Sequence, residues 1–265
     1  MIKRIKLYVN NNDKALKNAK LIKDKFRKNG YIIDNKNYDL AVSVGGDGAF
    51  LRMVRECNYY AKPYYVGINS GTLGFLAEVE VNDVDNFINR LKNDDFYYNE
   101  INIQKTVIKY NKRKDVLFSL NDVIIRYNNS KVLKSDIYCN DKLFENFTGD
   151  GIIISTSIGS TGHNASYGGA AIDPTFQTIQ VTPMGAISTK AYSSYRNPTV
   201  FNQNTIIRVI PREDLRHYFI TYDGIDKYYK NVESIQSYID DNKIKMLKLN
   251  NYSFASRIHN KLISD

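Results

Sequence analysis

The segment Gly45-Gly46-Asp47-Gly48 places one carboxylate among three glycines, directly after the apolar run LAVSV at residues 40–44. Apolar residues with helical spacing follow, so the segment is predicted to join a buried strand to a helix. Glycines let a ligand approach the backbone, and the N–H groups at a helix start favour an anion such as phosphate. A carboxylate in that position would repel the phosphate, unless a cation bridges the two groups or the carboxylate accepts a proton during the reaction. The segment therefore indicates phosphoryl transfer, in which Asp47 accepts a hydroxyl proton or helps to hold Mg²⁺.

An ordinary tight turn with a capping aspartate is the alternative interpretation of this segment taken by itself. The chain contains neither the Walker pattern G-x-x-x-x-G-K-[ST] nor the dinucleotide pattern G-x-G-x-x-G. Other segments of the sequence are therefore needed to distinguish a phosphoryl-transfer loop from an ordinary tight turn.

Composition indicates a soluble globular protein. The chain has 265 residues, of which 43% are hydrophobic, enough for one large domain or two smaller ones. No apolar run approaches the ~20 residues of a membrane span, and the first residues lack a signal-peptide pattern. We therefore expect a cytoplasmic protein without a membrane partner. Cys57 and Cys139 cannot form a disulfide framework and show no zinc-binding spacing, so any metal is expected on oxygen ligands.

The formal net charge of +9 is explained better by solvated helix faces than by a nucleic-acid partner. The lysines of residues 13–30 lie opposite an apolar face of Leu16, Ala19, Ile22 and Phe26. We expect no nucleic-acid partner, although this charge would attract nucleotides. A non-enzymatic module that binds a dinucleotide or nucleic acid is the alternative from a different class. Binding titrations at two salt concentrations separate a phosphate-driven nucleic-acid contact from a shaped pocket.

The first hundred residues alternate strand and helix patterns. Strands are predicted in IKRIKLYVN, LAVSV and PYYVGINSG. Helices are predicted over residues 13–29, in AFLRMVRECNYY at residues 49–60, and in VNDVDNFINRLKN. This order is typical of a Rossmann-like α/β domain with a largely parallel sheet, which we place at residues 1–100.

After residue 100 the sequence changes to alternating runs rich in β-branched and aromatic residues, separated by turns such as Asn140-Asp141. These runs predict an antiparallel β domain over residues 101–249. The tail, residues 250–265, regains a short helical pattern and is expected to pack back on the first domain. The predicted fold class is therefore α/β plus all-β.

Several separated segments together resemble the NAD kinase family. They are SVGGDGAFLR, GINSGTLGFLAEV (residues 67–79), LNDV (120–123), TGDGIIISTSIGSTGHNASYGGAAIDP (148–174) and TYDG (221–224). The resemblance implies an N-terminal α/β domain, a C-terminal β domain and a nucleotide site between them. It further implies Mg²⁺-dependent phosphorylation of the adenosine 2′-hydroxyl of NAD, with ATP or polyphosphate as donor, and a homotetramer. The sequence leaves the choice of donor open.

The resemblance also implies roles for the first two segments. Asp47 corresponds to the residue that activates the 2′-hydroxyl, and Gly45, Gly46 and Gly48 shape the phosphate loop. Phe75 corresponds to the aromatic residue that packs against the adenine. An aromatic anchor of the core is the alternative for Phe75.

Further roles follow for acidic and amide residues of the second domain. Asn121 and Asp122 resemble the pair that hydrogen-bonds the adenine ribose, and Asp150 resembles the acid that contacts the nicotinamide half. Simple turns are the alternatives for both segments. Gly185 stands where relatives present a small residue beside the nicotinamide. For Asp223, a family contact and a hairpin turn are equally compatible with the sequence.

The loop STSIGSTGHNASYGG departs from the family pattern. The resemblance assigns NAD contacts to Ser157, Thr161 and Ser166, which keep hydroxyl groups. Gly162 replaces an alanine, and His163 replaces an aromatic residue. A histidine can still stack on a ribose or base and donate a hydrogen bond, so both are kept in the predicted NAD-binding set.

Other kinases with G-G-D-G after a strand are the nearest rivals. Lipid kinases related to diacylglycerol kinase would show G-x-G-N-D, and phosphofructokinases would show T-I-D-N-D; neither pattern occurs. A sensor that binds NAD without turnover is a further alternative, and only a turnover measurement distinguishes it.

Overall fold

The computed structural model describes residues 2–70, 74–127, 132–190, 193–212, 217–249 and 253–263. They form two compact units: an α/β unit of Met1–Ile101 with Asn242–Asp265, and a β unit of Asn102–Asp241. The chain crosses from one unit to the other inside two long strands. The first crossing adjoins the boundary predicted at residue 100, whereas the second precedes the boundary predicted at residue 249.

The strands and helices have the following bounds in chain order. The strands are β1 (Arg4–Val9), β2 (Ile32–Ile33), β3 (Leu40–Gly45), β4 (Tyr64–Asn69), β5 (Ala77–Glu80), β6 (Tyr97–Tyr110), β7 (Arg113–Ser119), β8 (Asp122–Tyr127), β9 (Leu133–Cys139), β10 (Lys142–Gly149), β11 (Gly151–Thr156), β12 (Thr178–Met184), β13 (Thr199–Asn202), β14 (Ile207–Pro211), β15 (Tyr218–Tyr222), β16 (Ile225–Tyr229) and β17 (Val232–Lys248). The α-helices are α1 (Asp13–Lys28), α2 (Asp47–Glu56), α3 (Val84–Lys92), α4 (His163–Ser166) and α5 (Phe254–Ile258). Single turns of 3₁₀ helix cover Val81–Asp83 and Ile158–Thr161, and a π-helical turn covers His259–Ile263.

The α/β unit is built on a parallel sheet in the order β17-β4-β3-β1-β2, and β5 also pairs with β4 in parallel. Every residue of β3 is buried, as expected for a strand that is covered on both faces. Because β3 and β4 are parallel neighbours, the loops after their carboxyl ends lie at the same edge of the sheet. The glycine-rich segment and the loop before Phe75 therefore start side by side.

Helix α1 is amphipathic as predicted, except that Leu16, which was placed on the apolar face, is 49% exposed. The Asn12 side chain accepts a hydrogen bond from the Ala15 N–H at 2.8 Å and so caps the helix start. Its buried face carries Ala15, Ala19, Ile22 and Phe26, while its lysines stay largely in solvent. The helix ends before Gly30, whose φ of +87° is a left-handed conformation that favours glycine.

Helix α2 differs from its predicted bounds at both ends. It begins at Asp47, two residues before the apolar pattern, because Gly46 occupies the N-cap position. It stops at Glu56 instead of continuing through Tyr60, because Asn58 and Tyr59 take positive φ angles of +50° and +53°. None of the helices within the described ranges is long and apolar enough to cross a membrane.

The β unit consists of two antiparallel sheets. One has the order β13-β12-β11-β8-β15-β16, and the other contains β10-β9-β14-β17, with β6 on β17 and β7 on β6. A single apolar cluster takes side chains from both sheets, including Ile125 and Ile154 from the first and Ile137 and Val209 from the second. The two sheets therefore pack face to face, and the predicted hairpin at Asn140-Asp141 connects β9 to β10 with both turn residues at positive φ.

A buried polar network joins the two sheets close to Asn121. Gln104 donates from Nε2 to the Ile154 carbonyl at 3.0 Å and to Ser237 Oγ at 2.7 Å. Its Oε1 accepts from the Ser119 hydroxyl at 3.2 Å. Gln104, Ser119 and Ser237 are fully buried, so each lost bond would leave a polar group without water. The network fixes the end of β7 from which Leu120 and Asn121 continue.

Replacing Gln104 by leucine, Q104L, should lower the free energy of unfolding by about 1–3 kcal/mol, since the buried Ser119 hydroxyl loses its acceptor and the Ile154 carbonyl loses a donor. Q236L is the matched control: Gln236 lies on β17 but is only half-buried, so its effect should stay within about 0.5 kcal/mol. Urea unfolding curves of the two variants provide the measurement. Equal effects would show that the network does not stabilise the β unit.

Candidate active site

Asp47 lies in the first turn of α2 with a half-buried side chain. Its Oδ2 accepts the N–H of Phe75 at 2.8 Å, and its Oδ1 accepts the N–H of Leu76 at 2.9 Å. The carboxylate is thereby fixed in orientation, and each oxygen keeps a further lone pair. The structure thus brings together the predicted catalytic acid and the predicted adenine-packing residue.

The three predicted phosphate-loop glycines are in different environments. A Cβ on Gly45 would lie 2.6 Å from the Cβ of Ala49, so glycine lets α2 begin directly against the end of β3. Gly46 is the N-cap of α2, and as a glycine it has no side chain to cap the N–H groups of the first turn. Gly48 is exposed, and a Cβ there would have no atom within 4 Å. The backbone at the start of α2 is therefore open to an anion.

Gly74 narrows the space beside Asp47. A Cβ at Gly74 would lie 3.1 Å from Asp47 Oδ1, which is shorter than most contacts that Cβ atoms make. Gly74 was not among the predicted site residues. The signal was its position directly before Phe75, because glycine lets a backbone pass close to a carboxylate.

In the β unit, Asp223 holds the backbone at Asn121 by hydrogen bonds, as Asp47 holds the backbone at Phe75. The Asp223 carboxylate accepts the N–H of Leu120 and the N–H of Asn121, both at 2.8 Å. Asp223 and Gly224 also form the hairpin turn between β15 and β16, with φ of +45° and +78°. The segment TYDG is therefore a hairpin turn, and the same turn also positions a predicted site residue.

Asn121 has an unsatisfied acceptor. Its backbone carbonyl accepts the N–H of Thr156 at 2.9 Å. Its side-chain Oδ1 is buried without a hydrogen-bond partner among the described residues. Leaving a buried acceptor unpaired is costly, and a ligand that donates a hydrogen bond would satisfy it.

Asp122 is buried, with 5% of its surface exposed. Burial raises the pKa of its carboxyl from the ordinary 3.8 to about 7, and the negative charge of Asp223 contributes to this shift. A carboxyl with this pKa is present in both protonation states near neutral pH. It can therefore donate a hydrogen bond as well as accept one.

The loop after β11 packs tightly on Asn121. A Cβ on Gly159 would overlap the backbone of Asn121, so the 3₁₀ turn Ile158–Thr161 can approach only with glycine at this position. Gly162 is exposed, and the nearest atom to a Cβ there would be the Gly159 carbonyl oxygen at 3.3 Å. Ser157 and Thr161 flank this contact, and Ser157 is buried whereas Thr161 is half-buried.

His163 and Ser166 lie on α4 and are exposed. The His163 ring stacks on the ring of Tyr167, with centroids 5.4 Å apart and an interplanar angle of 8°. One face of the imidazole is therefore covered by the protein, and the other is available to a ligand.

Sequence reasoning missed Asn164. Its Nδ2 donates to the Ser160 carbonyl at 3.1 Å, and its Oδ1 accepts from the Thr182 hydroxyl at 2.6 Å. Asn164 is fully buried and anchors α4 to β12, so it fixes the turn that carries His163. An asparagine inside a family motif gives no signal of this role, because the Thr182 hydroxyl that it binds lies on a different strand.

Asp150 and Gly185 lie together at the start of β11. The Asp150 N–H donates to the Met184 carbonyl at 2.8 Å. Gly185 has φ of +54°, and a Cβ there would overlap the Asp150 carboxylate. Both conditions favour glycine at position 185.

These two residues are separated from the other predicted residues of the β unit. Asn121, Asp122 and the 157–163 loop lie at the far end of β11, whose six residues extend about 20 Å. Within this unit the structure therefore forms two groups of predicted site residues. The reason is topological: Asp150 precedes β11, and the loop follows it.

Over most of its length, this chain is similar to NAD kinases. Residues 6–96 match the ATP-NAD kinase N-terminal domain family, and residues 120–243 match the ATP-NAD kinase C-terminal domain family. An NAD kinase of Finegoldia magna is 35% identical over 257 residues, which cover 93% of this chain and 94% of that protein. An NAD kinase of Staphylococcus aureus strain Newman is 29% identical over 238 residues, covering 88% and 87%.

Two solved structures share the fold. Yeast NADH kinase in complex with NADH superposes with a TM-score of 0.86 at 17% identity, covering 97% of this chain and 86% of that one. An NAD kinase from Archaeoglobus fulgidus in complex with ATP superposes with a TM-score of 0.77 at 18% identity, covering 97% and 98%. The predicted combination of an α/β domain and an antiparallel β domain is thereby confirmed.

The two glycines of the Asn121 contact should respond differently to alanine. G159A forces a methyl group into the Asn121 backbone and should lower stability by about 1–3 kcal/mol or more, as overpacking does. G162A meets its nearest atom at 3.3 Å and should be tolerated after a small shift. Thermal unfolding of both variants is the measurement. A G159A protein as stable as G162A would contradict the described contact.

The raised pKa of Asp122 predicts a pH dependence of stability. The folded protein has to hold a buried carboxylate once the pH exceeds the folded pKa of about 7. The free energy of unfolding of the wild type should therefore fall, relative to D122N, from about pH 4 to pH 7. Above that range the difference should level off at a few kcal/mol.

Urea unfolding at pH 4, 6 and 8 measures this difference. D141N is the control, since the Asp141 side chain is 86% exposed, and its pH profile should follow the wild type. A constant difference between wild type and D122N across these pH values would contradict the raised pKa.

Proposed function

The chain belongs to the NAD kinase family, and on that premise we propose how it phosphorylates NAD with ATP. It is a phosphotransferase, and its acceptor is the adenosine 2′-hydroxyl. The observation that carries the proposal is the pair of hydrogen bonds from the Phe75 and Leu76 amides to Asp47. These bonds hold a base next to an aromatic surface that can pack against adenine, whose ribose carries the reacting hydroxyl.

Asp47 is the proposed general base. Two of its lone pairs are engaged by backbone amides, and the others are free to accept the proton of the 2′-hydroxyl. As that proton is transferred, the 2′-oxygen forms a bond to the terminal phosphorus of the donor, and the bond from phosphorus to the bridging oxygen breaks. A positioned base of this kind is worth about 10²–10⁴ in rate.

We propose that the donor phosphates lie against the start of α2. The open backbone at Gly46 and Gly48 offers N–H groups and the positive end of the helix. The described residues contain no group of three or more His, Cys, Asp and Glu side chains able to hold a metal ion. We propose that Mg²⁺ would be held mainly by the donor phosphates, whose charge it would neutralise, and that Asp47 is the residue of this chain that would help to hold it.

Asn121 and Asp122 are proposed to recognise the adenosine ribose. The unpaired Asn121 Oδ1 accepts from a ribose hydroxyl or the adenine amine. Asp122, present in both protonation states near neutral pH, can exchange hydrogen bonds with vicinal hydroxyls. Ser157, Thr161, Gly162, His163 and Ser166 belong to the same proposed NAD-binding set.

Asp150 and Gly185 are proposed to contact the nicotinamide half. A separate position for them fits a dinucleotide with two chemically different ends.

We further propose a cytoplasmic location and a homotetramer, on the basis of the family resemblance. Light scattering coupled to size-exclusion chromatography tests the homotetramer directly.

D47N should lower kcat by about 10²–10⁴ and, because the amide keeps only one of the two acceptors for the Phe75 and Leu76 N–H groups, it should also raise the KM for NAD. D223N is the matched control, because Asp223 also accepts two successive backbone N–H groups at 2.8 Å. D223N loses one of these acceptors without removing the base, so it should raise the KM for NAD and lower kcat less than tenfold. Initial rates are read by coupling the product to an NADP-specific dehydrogenase.

Equal kcat losses in D47N and D223N would show that Asp47 has a positioning role only.

Parallel incubations with ATP and with polyphosphate identify the donor. Offering a sphingoid base, a glycerolipid and fructose 6-phosphate in place of NAD tests the rival kinases. A chain that binds NAD but yields no NADP with either donor would be a sensor, and the proposed enzyme activity would be wrong.

A further inference from the structure

Arg257 of α5 binds the segment that carries Phe75. Its Nη1 donates to the carbonyl oxygens of Phe75 and Ala77, each at 2.8 Å, and its Nη2 contacts Glu78 Oε2 at 2.6 Å. A guanidinium presents its donors in a rigid fork. Three such bonds to one short stretch therefore fix the position of that stretch.

Glu78 is the centre of a buried ion cluster. Lys248 Nζ lies 2.9 Å from Glu78 Oε2, and the Leu249 N–H donates to Glu78 Oε1 at 3.1 Å. The side chains of Glu78 and Lys248 are each 5% exposed, and that of Arg257 is 17% exposed. Removing one partner of a buried pair leaves the other charge uncompensated, so these contacts lock the end of β17 and α5 onto the start of β5.

The Phe75 segment is consequently held on both of its backbone sides. Asp47 accepts the N–H groups of residues 75 and 76. Arg257 donates to the carbonyl groups of residues 75 and 77. An acid from the start of α2 and a base from the end of the chain thus share one short segment, and moving either releases half of its anchors.

We propose that Arg257 is a positioning residue for NAD recognition. By fixing the Phe75 segment it sets the distance between the adenine-packing ring and Asp47, so α5 belongs functionally to the site. The inference rests on the proposed function, because it uses Phe75 as the adenine contact. The competing explanation is that Arg257 only stabilises the fold.

The first test observes the segment directly. The chain contains no tryptophan, so F75W introduces a single indole as a fluorescent reporter at the segment itself. R257A in this background should raise the acrylamide quenching constant of the indole at least twofold. R90A is the matched control: the Arg90 side chain is 18% exposed and pairs with Asp95 at 2.9 Å in the same unit. R90A should leave the quenching constant unchanged.

The second test separates substrate binding from stability. R257A, with Phe75 intact, should raise the KM for NAD about tenfold while the KM for ATP stays within twofold. R257K keeps the charge and most of the volume but cannot reach both carbonyls, so its KM for NAD should be intermediate. R257K carries the test if R257A does not fold.

The proposal is overturned if quenching of the F75W indole is the same with and without Arg257. It is also overturned if the KM values for NAD and ATP rise in parallel, or if R90A and R257A behave alike. These outcomes differ from a failure of the proposed function. In that case the wild type would form no NADP, and the fluorescence of the F75W protein would still report whether Arg257 holds the segment.

Discussion

The arrangement of the predicted site residues depends on carboxylates that accept two successive backbone N–H groups. Asp47 holds Phe75 and Leu76 in this way, and Asp223 holds Leu120 and Asn121. Hydrogen bonds to a charged acceptor are stronger than neutral ones. They can therefore fix short irregular segments that have no helix or sheet pairing of their own, which is where binding residues are usually found.

Local patterns predicted the fold well. The apolar run of β3, the spacing in α1 and the turn at Asn140-Asp141 depend on neighbouring residues, so the sequence displays them directly. The predicted end of α2 was wrong, because the apolar spacing runs on past Glu56 while Asn58 and Tyr59 adopt left-handed conformations. Hydrophobic periodicity does not report such backbone reversals.

The site was predicted less completely than the fold. The motifs singled out Asp47, Phe75 and Asn121 as candidates, but they did not indicate the contacts that position these residues. Arg257 lies 182 residues from Phe75 along the chain, and a single sequence carries no sign of that proximity. The separation of Asp150 from Asn121 likewise follows from the pairing of β11 with β8 and β12, which only the sheet topology reveals.

The buried carboxyl of Asp122 has a consequence for how ligand binding is observed. A group with a pKa of about 7 is close to half-ionised in neutral buffer, so a ligand that prefers one ionisation state exchanges protons with the solvent as it binds. Part of the heat measured by calorimetry would then belong to the buffer. Enthalpies from phosphate and Tris solutions would differ, although the contacts to the ligand are the same.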